Sequence, residues 1–144
     1  MKKVSEWDSF GEIGKLSLEK LFKIQGTVKA PILIFEQNGI TIVQFALPEE
    51  ENTEKLHGSL LSTIADLIRR VDPHELFVGY EGFYLMEEGA VRVLVGTLYS
   101  DDEEQVWLAQ THGGTVGKWQ DISNNQNRLG FEGLWQRAKA HIRN

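Results

Sequence analysis

The sequence predicts a single α+β domain over residues 1–144, with helices packed on an antiparallel sheet of about five strands in the order α-ββ-α-βββ-α. Three observations predict it. Two runs rich in β-branched residues are joined by Asn38-Gly39, leucines and isoleucines recur at helical spacing from Leu56 to Val71, and three strand-like runs then follow with only short turns between them.

The N-terminal region reads as helical. Ser5 is the expected N-cap, with Asp8 three residues on, and Trp7, Phe10, Leu18 and Leu21 form a helical stripe. Gly11 and Gly14 interrupt that stripe, which leaves either one frayed helix or two short ones. The segment from Pro31 to Phe45 reads as a hairpin, because Asn-Gly tolerates the two positive φ angles of a type I′ turn. Closing it there pairs Phe35 with Ile42 and Ile34 with Val43, so both faces are apolar and both need a cover of helices or of a second subunit.

The helix of Leu56, Leu60, Leu61, Ile64, Leu67, Ile68 and Val71 starts at Asn52 or Thr53 and stops at Asp72-Pro73. Strands are expected at Glu75 to Met86, Val91 to Tyr99 and Glu104 to Thr111, with a short extension around Thr115 to Trp119. Gln120 to Arg128 reads as a polar loop. Phe131, Leu134, Trp135, Ala138 and Ile142 then make a C-terminal helical stripe.

Composition narrows the function classes. Folding a chain of this length buries about 70% of its unfolded surface, enough for a core without staples. Cysteine is absent, which removes disulfides, thiolate metal sites and cysteine nucleophiles and fits a reducing, cytoplasmic setting. No apolar h-region follows Met1-Lys2-Lys3, and the longest apolar run, Ala30 to Phe35, is too short to span a bilayer. A net charge of -6 with no basic patch opposes nucleic-acid binding. Arg69-Arg70 and the tail (Arg137, Lys139, Arg143) read as solvated helix faces. Glu49-Glu50-Glu51 and Asp101-Asp102-Glu103-Glu104 read as solvated loops, or as a surface for a basic partner.

Counting outward from a two-residue turn at Glu88-Gly89 sorts the central strands into two faces. Val78, Tyr80, Tyr84, Met86, Val91, Val93, Val95, Tyr99, Val106 and Leu108 make an aliphatic core face beneath the Leu56 to Val71 helix. The other face gathers Gly79, Glu81, Phe83 and Leu85 with Arg92, Leu94, Gly96 and Leu98, then with Trp107 and Ala109. In this register Glu81 and Trp107 both lie across from Gly96, and the glycines leave a shallow hollow walled by Trp107 and Phe83. A carboxylate in a desolvated hollow between aromatics is the arrangement that makes general acids and bases. The bland alternative is that Trp107 packs over glycine and Glu81 pairs with Arg92.

Gly113-Gly114-Thr115-Val116-Gly117-Lys118-Trp119 has a phosphate-loop look but lacks the spacing, and Trp119 stands where a hydroxyl belongs; it reads as a turn at the sheet edge. His57, His74, His112 and His141 have no ligand spacing, and His112 counts onto the face opposite Glu81. No metal or cofactor is expected.

Two function classes remain. The first is a non-enzymatic protein-binding module, acting through a protein partner or as a homodimer. The second is a small-ligand-binding or hydrolytic domain at the hollow, with Glu81 as the candidate catalytic group and Trp107, Arg92, Phe83 and Tyr80 as binding residues.

Overall fold

The computed structural model describes residues 4–28, 31–36, 40–44, 53–100, 104–122 and 134–143. It is an α+β fold whose antiparallel sheet curls into a half-barrel. The strands are β1 (Ile32–Glu36), β2 (Ile40–Gln44), β3 (Glu75–Met86), β4 (Gly89–Ser100), β5 (Glu104–His112) and the two short strands β6 (Thr115–Val116) and β7 (Gln120–Asp121); the helices are α1 (Val4–Gln25), α2 (Thr53–Val71) and α3 (Leu134–Arg143). Strand order is β2-β1-β3-β4-β5-β6, with β7 also pairing to β5.

Each face of the sheet has its own helical cover. Leu33, Leu76, Val78 and Tyr99 pack against Ile64 and Ile68 of α2 and against Trp135 and Ala138 of α3. On the other face Ile32, Ile34, Phe77, Leu94 and Leu98 pack against Phe10, Leu18 and Phe22 of α1. The alternation along β1 therefore feeds two cores, as the two-sided hydrophobicity of this strand requires. A third cluster of Val93, Val95, Val106 and Leu108 lies on the α2 side of the sheet. Tyr80, Tyr84, Val91 and Ile122 pack against it.

Four expectations change. The β1–β2 hairpin closes at Glu36↔Ile40, so Ile34 pairs with Ile42 and Phe35 with Thr41, one residue out from an Asn-Gly two-residue turn. α1 is one continuous helix that begins before Ser5, and its two glycines are contact points rather than breaks. Part of the expected loop at Gln120 is strand β7, paired through Trp107↔Asp121 and Leu108↔Gln120. Lys139 is buried rather than solvated: its Nζ meets Asp72 Oδ1 and the Pro73 carbonyl at 2.5 Å each and stands 4.5 Å from the Trp135 ring centroid. Phe131, the acidic runs 49–51 and 101–103, and most of the loop to Arg128 lie outside the described residues.

Candidate functional site

β3 and β4 meet across Met86↔Gly89, so Glu87 and Glu88 form the turn and Glu81 faces Leu94, not Gly96. The register is two residues from the expected one. Neither Glu87 nor Glu88 has a positive φ, so the turn has the ordinary hand, and Gly89 at φ 119° reconciles it with the strand twist. An even shift leaves every side chain on its predicted face. The residue across from Gly96 is Gly79, and Trp107 flanks Gly96 on the other side, so one line across four strands reads Ile32, Gly79, Gly96, Trp107.

That line of missing side chains is a trough, and it is filled. A Cβ at Gly96 would stand 2.6 Å from Phe77 Cζ, and one at Gly79 would stand 3.0 Å from both Leu18 Cδ2 and Phe77 Cε1. α1 completes the fill, with Gly14 on the Phe77 ring and Gly11 where a Cβ would be 3.1 Å from Trp107 Cη2. Lys15 of the same helix lies 4.5 Å over Trp107, and Trp119 Nε1 donates to Glu19 Oε1 at 2.6 Å. The depression expected from the glycines is thus the bed of α1, because a helix bearing glycine on its inner face can approach a sheet bearing glycine more closely than any pair with side chains.

Glu81 sits just past the end of this bed. Its Oε1 accepts from Thr27 Oγ1 at 2.7 Å and from the Val28 amide at 2.8 Å. Arg92 Nε lies 3.0 Å from Oε2, with 6% of the Glu81 side chain exposed and 54% of Arg92. The contact with Arg92 is an ion pair without hydrogen-bond alignment, since Oε2 accepts no directed bond. One carboxylate therefore ties the chain leaving α1 to β3 and to β4.

The other predicted site residues scatter. Trp107 is under α1, two strands away from Glu81. Tyr80 projects to the opposite face, against the clusters of α2 and of β4–β5. Phe83 and Arg92 are cross-strand partners on the Glu81 face, beyond the cover of α1. His112 is exposed beside the Gly113-Gly114 turn, both of whose glycines have positive φ. Among the described residues no group of three or more His, Cys, Asp or Glu could hold a metal, and no helix is long and apolar enough to cross a membrane.

The distal half of the β3–β4 hairpin, which carries the expected binding residues Phe83 and Arg92, extends beyond its neighbouring strands. β1 pairs with β3 only as far as Gly79, and β5 pairs with β4 only from Val93, so the hairpin continues past both neighbours. There Phe83 is 67% exposed and Leu85 80%, the largest apolar exposure among the described strand residues. Their spacing of two on the face that carries Arg92 was readable; that α1 stops short of them was not. Protein-family models, curated proteins and solved structures offer no match to this chain.

Proposed function

We propose that this chain is a non-enzymatic protein-binding module that engages its partner through the α1-side face of the distal β3–β4 hairpin. The observation that carries the reading is the pair Phe83 and Leu85, exposed side by side on a ribbon whose base is covered on both faces. Two large apolar side chains held on a rigid strand cost little entropy to immobilise, and Arg92 beside Phe83 supplies a charged rim. The net charge of -6 and the committed carboxylate of Glu81 favour this over chemistry at the hollow.

The test is a photo-crosslinking amino acid placed at Leu85 of the full chain in the producing cell, with Lys20 on the outer side of α1 as control. Discrete protein adducts are expected at position 85, none at 20, and loss of the former when Phe83→Asp is added. Absence of any adduct at position 85 refutes the reading.

A further inference from the structure

We infer that the partner of this hairpin is a second copy of the same chain, packed face to face across a two-fold axis. The inference rests on the protein-binding reading above and names its partner. It follows from how charge and apolar surface are laid out along the ribbon.

From the covered base outward, the rungs on the exposed face are Phe83 with Arg92 and then Leu85 with Ala90, and beyond the last pair, Met86 with Gly89, the turn residues Glu87 and Glu88 close the ribbon. Arg92, Glu87, Glu88, Phe83 and Leu85 are all exposed. The patch therefore has the Arg92 head, paired on its inner side with Glu81, at one end, two carboxylates at the other and apolar side chains between, with Leu85 and Ala90 two residues from each end. Each end lies about 7 Å from that centre at the usual strand rise.

Such a layout is complementary to itself. A two-fold axis through the Leu85–Ala90 rung, in the plane of contact and perpendicular to the strands, superposes each Phe83–Arg92 rung on the acidic tip of the other copy. Leu85 then meets Leu85 of the second copy, and Arg92 of each chain faces Glu88 of the other. Arg92 can reach for this, because its contact with Glu81 is made through Nε and its side chain is half in solvent. A parallel arrangement sets acid on acid, so the charges also fix the direction of pairing. A foreign partner needs complementary charges at matching spacing; the second copy carries them already.

The same layout sets apolar centre against charged rim as in interfaces generally, with the aromatic beside the arginine. Glu81 is part of the device: it holds Arg92 from below while Thr27 and Val28 hold Glu81.

Light scattering on size-exclusion fractions of the full chain, from low to high micromolar loading, should show mass rising from 16.4 kDa toward twice that value. Phe83→Asp and Leu85→Asp should each weaken self-association by about tenfold or more, and Glu88→Lys should weaken it in a way that rising salt mimics. Lys20→Glu should leave it unchanged. All these positions are exposed, so unchanged circular dichroism and melting temperature keep the variants interpretable. A chain that is monomeric throughout, or a dimer indifferent to Phe83→Asp and Glu88→Lys, overturns the inference. Foreign adducts at position 85 with a monomeric protein overturn self-pairing alone; no adducts at all remove both readings.

Discussion

Gly14 of α1 rests on the ring of Phe77 in β3 so closely that a Cβ on the glycine would fall inside the ring's van der Waals surface. Ordinarily alanine in place of a helical glycine adds up to about 1 kcal/mol through helix propensity. Here overpacking opposes that gain.

Gly14→Ala should therefore lower stability by about 1–2 kcal/mol net, the cost of forcing a methyl group into a filled core. Gly11→Ala should cost less, since its Cβ would meet the edge of Trp107 at 3.1 Å rather than the middle of a buried ring. Urea midpoints measured side by side decide it. A Gly14→Ala protein more stable than Gly11→Ala contradicts the close seat.

Glu81 holds by hydrogen bonds more than by charge. Glu81→Gln keeps an acceptor for Thr27 and Val28 and loses an ion pair with a half-exposed arginine, worth under about 1 kcal/mol. Glu81→Ala leaves the Val28 amide without its acceptor and should cost about 1–3 kcal/mol. Amide exchange at Val28 should accelerate strongly in the alanine variant and little in the glutamine one. Equal destabilisation by the two would assign the holding to charge.

Lys139 and Asp72 link α3 to the turn between α2 and β3. Lys139 is buried while Asp72 is half exposed, and taking the partner from a buried charge is worse than removing the buried charge itself. Asp72→Asn keeps a residue tolerant of the left-handed φ of 50° but leaves Lys139 buried with one fewer anion. It should cost about 1–2 kcal/mol, while Lys139→Met, which retains the packing on Trp135, should be nearly neutral. Thermal unfolding of the pair tests the order; the reverse order would mean that the ion pair itself is net stabilising.

Trp119 reaches across to α1 through its indole N–H and Glu19. A double-mutant cycle of Trp119→Phe with Glu19→Ala should give a coupling near 1 kcal/mol. Zero coupling would reduce the contact to packing alone.

The fold was largely legible because its signals are periodic. Ile64 and Ile68, four residues apart, announced α2, and the alternation of Tyr80 and Glu81 along β3 announced which side each would take. The faces of β3 and β4 were also readable, and they withstood a misplaced turn because the shift was even. In the β1–β2 hairpin the shift was odd, and there the pairing of Phe35 moved from Ile42 to Thr41. Lys139, four residues after Trp135 on the same helical stripe, carried a signal of burial that its charge obscured.

The candidate site was legible only as a surface. Gly79, Gly96 and Trp107 could be placed on one face by counting, and so could Glu81 and Arg92. Whether the gap between them was open depended on Gly14 and Leu18, more than sixty residues earlier in the chain.

The sequence by itself determined the order of the helices and the longer strands and the sorting of side chains between faces, since both follow from local periods of 3.6 and 2. Only the tertiary structure decided what covers each face: that α1 lies in the glycine trough, that Glu81 ties Thr27 and Val28 to Arg92, and that Phe83 and Leu85 lie beyond the cover. An apolar face demands a partner without naming it. The choice is made by shape and distance between segments that the chain keeps far apart.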